Sequence, residues 1–64
     1  MDNTYTIYLD GKSFARACGT EATYELYSRV VAVAELLCLS VDLVWNETGE
    51  VVAYYDPEEL EDEE

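Results

Sequence analysis

Two kinds of side chain in this sequence could do chemistry: the thiols of Cys18 and Cys38, and fifteen carboxylates of Asp and Glu. A thiol becomes a strong nucleophile when a neighbouring base or cation draws off its proton. The chain contains no His, so the usual general base, the usual proton shuttle and the commonest metal ligand are missing together. The cysteines fall outside any C-x-x-C pair, and two thiolates alone cannot fill a tetrahedral zinc site. Both lie among small or apolar residues, which predicts reduced thiols buried in the core. Paired carboxylates can serve as acid and base, but they need a cleft that raises one pKa. A chain of 64 residues has little interior from which to build one. The acidic residues lack the D-x-[DN]-x-[DN]-G spacing of a calcium loop, and Gly11, Gly19 and Gly49 form no phosphate-cradling loop. The sequence therefore predicts no catalytic residue, no cofactor and no metal.

What remains is charge. Fifteen acidic residues stand against three basic ones, for a net charge of −12 and a pI near 4.1. Binding to the phosphates of nucleic acid depends on cationic side chains, so direct nucleic-acid binding is excluded. The length allows one domain, placed at residues 1–56, with the acidic stretch 57–64 as a tail. Blocks of like charge stay disordered as a rule, and that is the expectation for this tail. The longest nearly apolar stretch, Val30 to Leu39, is too short to span a bilayer. Met1-Asp2-Asn3-Thr4 has no signal-peptide pattern, which predicts a cytoplasmic protein.

Five elements must position whatever the surface offers. Tyr5, Ile7 and Leu9 alternate with Thr4, Thr6 and Tyr8, the period-two pattern of a half-buried strand. Asp10-Gly11 is a two-residue type I′ turn signal. It puts Leu9 opposite Lys12, Tyr8 opposite Ser13 and Ile7 opposite Phe14, in a second strand from Lys12 to Cys18. Thr20 then reads as a helix N-cap, and Glu21 to Leu39 as a helix without Gly or Pro. Leu26, Val30, Val33 and Leu37 trace the stripe expected to cover the sheet, flanked by Tyr27, Ala34 and Cys38. Two further strands, Val41 to Trp45 and Val51 to Tyr55, are joined by Asn46-Glu47-Thr48-Gly49-Glu50. Pairing Asn46 with Glu50 sets Trp45 opposite Val51, Leu43 opposite Ala53 and Val41 opposite Tyr55, all toward the helix. The fold class is α+β: an antiparallel sheet of about four strands in the order ββαββ, with one helix on one face.

One helix covers one face of a sheet, so the other face must meet water or a partner. That open face is expected to show Tyr8, Val44, Val52 and Tyr54 with Thr4 and Thr6, an aromatic and valine group rimmed by acids. Ala32, Leu36 and Leu39 lie on the helix face away from the sheet and are candidates for the seam of a homodimer. The acidic tail reads either as a solubility device or as an arm that docks on a basic cleft.

The Asp10-Gly11-Lys12 hairpin, the single helix and the second hairpin through Trp45-Asn46-Glu47-Thr48-Gly49-Glu50-Val51-Val52 resemble the small ββαββ proteins of bacteria, phages and mobile elements. The likeness covers about residues 4–56. Small acidic proteins of this kind also resemble phage-encoded inhibitors of host defence, the anti-CRISPR and antirestriction proteins, some of which imitate the charge of DNA. The resemblance carries over no functional residue; for a phage-encoded protein it implies the host cytoplasm. The thin catalytic inventory and the charge themselves predict a module without enzymatic activity that occupies the groove of a basic, nucleic-acid-binding protein. In that reading Asp10, Asp42, Glu47 and Glu50 of the domain, with Asp56, Glu58, Glu59, Glu61 and Asp62 at its C-terminal end, stand in for phosphates. Tyr8, Val44, Val52 and Tyr54 add apolar anchoring that survives salt. Two alternatives remain open: an assembly protein that pairs through its sheet face or helix, and a regulator that takes a peptide along a sheet edge.

Overall fold

The structure is a computed structural model that describes residues 3–57. Glu58, Glu59, Glu61 and Asp62 lie outside the described residues, as does the rest of the acidic stretch beyond Pro57. Among the described residues five elements follow one another: β1 (Thr4–Leu9), β2 (Lys12–Cys18), α1 (Thr20–Leu37), β3 (Val41–Trp45) and β4 (Glu50–Tyr55). They form a four-stranded antiparallel sheet with one helix, the α+β arrangement expected from the sequence. The strand order is β2-β1-β3-β4, so the two hairpins meet along β1 and β3, and β2 and β4 are the edges.

Asp10 and Gly11 adopt φ of 57° and 81°, the pair of positive values a type I′ turn requires. The register begins as expected, with Leu9 opposite Lys12 and Tyr8 opposite Ser13. A bulge then intervenes, and Ile7 faces Ala15 rather than Phe14. Phe14 is the extra residue; it stays 58% exposed at the rim of a recess shared with Leu9, Arg29, Val30 and Val33.

The second hairpin departs from its expected register in the same way. Asn46 to Gly49 form a four-residue loop whose Thr48 and Gly49 N–H groups both donate to the Trp45 carbonyl, at 3.3 and 2.8 Å. Gly49 takes φ 78°, the left-handed region that glycine enters without a Cβ penalty. Trp45 therefore faces Glu50, not Val51, and Val44 faces Val51. A bulge at Val52 restores the expected pairs Leu43 with Ala53 and Val41 with Tyr55. Both bulges fall on edge strands, where an extra residue can bend the chain without disturbing a second neighbour.

The helix starts one residue earlier than expected and ends two earlier. Its N-cap is Gly19, with no side-chain cap, instead of Thr20. The Thr20 Oγ1 lies 3.3 Å from the Tyr5 hydroxyl, while the Thr23 hydroxyl donates to the Gly19 carbonyl at 2.6 Å. At the other end Cys38 enters the left-handed region at φ 60°, and the Leu39 N–H returns to the Ala34 carbonyl at 3.0 Å. This is the Schellman pattern that closes a helix, here built without glycine.

The stripe facing the sheet is Thr23, Val30 and Ala34, with Leu26, Tyr27 and Val31 at its margins. Val33 and Leu37, expected within it, are 52% and 59% exposed. Thr23, Val30 and Ala34 recur at spacings of seven and four and so share one helix face. The core beneath is Tyr5, Ile7, Val41 and Leu43, the last three with no exposed surface. Packing of α1 runs over β2, β1 and β3. Neither cysteine is in the core, contrary to expectation: Cys18 ends the edge strand β2, Cys38 caps the helix, and both thiols are free and exposed. Among the described residues no helix is long and apolar enough to cross a membrane.

Candidate protein-binding site

Antiparallel pairing brings side chains from neighbouring strands into rows across the sheet. On the face away from α1, one row runs Ser13, Tyr8, Asp42, Tyr54, and the next runs Arg16, Thr6, Val44, Val51. The sequence-based set of Tyr8, Val44 and Tyr54 is thus brought together, with Asp42 held between the two tyrosines. Val52 is not the cross-strand partner expected there; as the bulged residue it yields that place to Val51. Both valines are exposed, at 54% for Val51 and 40% for Val52. The Thr6 hydroxyl donates to the Asn46 side-chain oxygen at 2.8 Å, which ties the strand to the loop beneath this face.

Charge is divided unequally across the sheet. Lys12 and Arg16 belong to β2, and the third cation, Arg29, lies on α1 within 3.4 Å of the Glu25 carboxylate. From Val41 to Pro57 the chain carries Asp42, Glu47, Glu50 and Asp56 and no Lys or Arg. Asp10 and Asp56 border one recess with Cys38 and Ser40, at the end of the sheet where β1 finishes and β4 runs out. Glu47 and Glu50 lie at the opposite end, in the β3–β4 loop and at the start of β4. The described acidic candidates therefore line both ends of the β3–β4 half, with Asp42 on the open face between them.

The helix side of the same half holds a groove of about 380 Å³ between α1 and β4, lined by Tyr24, Tyr27, Ser28, Val31, Tyr54 and Tyr55. The groove was not legible in the sequence, because it arises from how far α1 sits toward β2. Tyr24 and Tyr27 meet edge to face with centroids 6.5 Å apart. Burial raises the Tyr27 phenol above its ordinary 10.0, and the Asp42 carboxylate and Tyr24 add to the rise. Tyr55 is raised as well, by burial first and then by Glu35, Cys38 and Asp56. Both phenols consequently stay neutral at physiological pH and can donate hydrogen bonds.

The dimer seam expected from Ala32, Leu36 and Leu39 is broken. Ala32 and Leu36 are exposed on the helix, but Leu39 follows the C-cap and packs against the core. The exposed apolar group on α1 is instead Val33, Leu36 and Leu37, of which Leu36 is 84% exposed. No group of three or more potential metal-binding side chains occurs among the described residues. No protein-family model, curated protein or solved structure matches the chain.

Proposed function

We propose that this protein is a binding module without enzymatic activity that occupies the basic, nucleic-acid-binding surface of a partner protein. The observation that carries the reading is the cation-free stretch from Val41 to Pro57, in which four carboxylates frame exposed tyrosine and valine side chains. Opposed charge speeds encounter and selects a Lys- and Arg-lined surface, while the buried apolar contacts hold the complex once salt screens the rest. Imitation of DNA charge by an inhibitor of host defence is the narrower form of this proposal; the sequence resemblance is its only support.

The test is affinity capture at low and high salt, followed by a nucleic-acid release assay on the captured protein. Capture of a basic protein that gives up its DNA or RNA as this chain is added is the expected result. Neutralising Asp42, Glu47 and Glu50 together (D42N, E47Q, E50Q) should weaken capture by about 3- to 150-fold, at roughly 0.2–1 kcal/mol per surface charge. Neutral or acidic partners, or an unchanged nucleic-acid complex, would refute the proposal.

A second reading, self-association through α1, has its own observation in the exposed Val33, Leu36 and Leu37. Sedimentation across a concentration series separates the two, since a self-associating helix face gives a mass that Leu36→Glu returns to that of one chain.

A further inference from the structure

We propose that the outer edge of β4 accepts an extended segment of the basic partner, which joins the sheet as a fifth strand. The inference rests on the reading above and specifies how the partner is held. Three observations converge on this edge. First, β4 ends the strand order on its side, and it is six residues of Glu, Val, Val, Ala, Tyr and Tyr. An edge of that composition is a ready template for main-chain hydrogen bonding, whereas β2 at the other edge carries Lys12 and Arg16. Second, the groove between α1 and β4 lies beside this edge, where alternate side chains of an added strand would enter it. Its tyrosines offer apolar walls and ring faces for a cation.

Third, charge complementarity names the occupant. Glu47 precedes β4, Glu50 begins it and Asp56 follows its end, and residues 41–57 contain no Lys or Arg. Six residues at about 3.3 Å each separate the two acidic ends by roughly 20 Å. The segment that fits is an apolar and Thr-containing strand with Lys or Arg about six residues apart, rather than a uniformly basic one. The bulge at Val52 sharpens the local twist and so restricts the register in which such a strand can pair.

The test uses the full chain and a blocked peptide, Lys-Val-Thr-Val-Thr-Val-Thr-Lys, at 25 °C in about 150 mM salt, where the Debye length of roughly 8 Å damps bare charge attraction. Two further peptides carry N-methyl groups on alternate residues, one on the odd positions and one on the even, which removes the donors of one edge at a time without changing charge. Protamine serves as a basic binding control without a fixed strand. Strand addition predicts that the parent peptide binds, that one methylated form loses at least tenfold while the other keeps most of its affinity, and that backbone amide shifts concentrate on residues 50–55. Equal binding by all three peptides, or binding of protamine alone, overturns strand addition and leaves the charge-based reading standing. Failure of protamine as well overturns that reading too.

Discussion

Trp45 carries the one buried side-chain polar atom without a hydrogen-bond partner among the described residues, its indole Nε1. Two opposed effects follow from replacing it by Phe. Aromatic side chains bury roughly 150–250 Å² each, so the smaller ring gives up about 50 Å² of apolar contact, which costs about 1.2 kcal/mol at 25 cal/mol per Å². Removing an orphaned buried donor returns roughly 1–3 kcal/mol of desolvation. The second effect is the larger over most of its range, so Trp45→Phe should leave stability unchanged or raise it by up to about 2 kcal/mol. Urea unfolding followed by far-ultraviolet circular dichroism measures this directly, and it avoids fluorescence, since the only Trp is lost. At about 0.05–0.15 kcal/mol per residue the whole domain has roughly 3–10 kcal/mol, so a gain of 1 kcal/mol is readily seen. A loss of more than about 1 kcal/mol would refute the reasoning, because it would mean that the indole N–H has a partner in solution.

Leu43→Ala should cost about 2–5 kcal/mol and leave the chain partly unfolded at 37 °C by thermal melts, since Leu43 is fully buried at the centre of the sheet. Alkaline titration supplies another check. Tyr27 and Tyr55 have raised folded-state pKa values, so the folded chain holds more protons than the unfolded one near and above pH 10. The stability they contribute is complete below pH 10 and is lost as pH rises through the folded values, so urea midpoints should fall above pH 10 and fall less in a Tyr27→Phe, Tyr55→Phe variant. Midpoints that hold steady to pH 11, or that fall equally in both proteins, would count against this.

The elements and their order were legible because each has a local cause. Alternation marks β1, Asp10-Gly11 fixes the first turn, and an unbroken stretch without Gly or Pro marks α1. Both hairpins lost their exact register for one reason. A bulge leaves the alternation of types intact on either side and merely inserts a residue, so Phe14 and Val52 read as ordinary strand positions. Hydrophobicity favours Val33 and Leu37 as the buried stripe, whereas Thr23, Val30 and Ala34 are the residues buried against the sheet, and a threonine in that row is not marked out by hydrophobicity. The cysteines were misplaced because an apolar neighbourhood in sequence does not show that Cys18 ends an edge strand or that Cys38 must turn outward at a helix cap. For the candidate site, Tyr8, Asp42, Val44 and Tyr54 could be grouped by period two alone. The groove could not, since it depends on the lateral position of α1 over the sheet.

The distribution of charge bears on why β4, an edge of the described sheet, does not pair with a second copy of the chain. Two copies joined β4 to β4 would bring Glu47, Glu50 and Asp56 of each against the same residues of the other, and like charges in register oppose the pairing. Joining β2 of one copy to β4 of the next would match Lys12 and Arg16 with acids, but such head-to-tail contact must extend to many copies, as a ring or a filament, to satisfy every edge. It would also bring together whole chains that each carry a net charge of −12. The same carboxylates that discourage both arrangements attract a Lys- or Arg-flanked strand from a protein of opposite net charge. Selectivity then arises from one feature acting in two directions, with repulsion excluding copies of the chain and attraction admitting the partner. An edge guarded by lysine, as β2 is, would have discouraged self-pairing equally well while turning away a basic partner. That difference is the physical reason to look for the binding surface on the β4 side of the sheet.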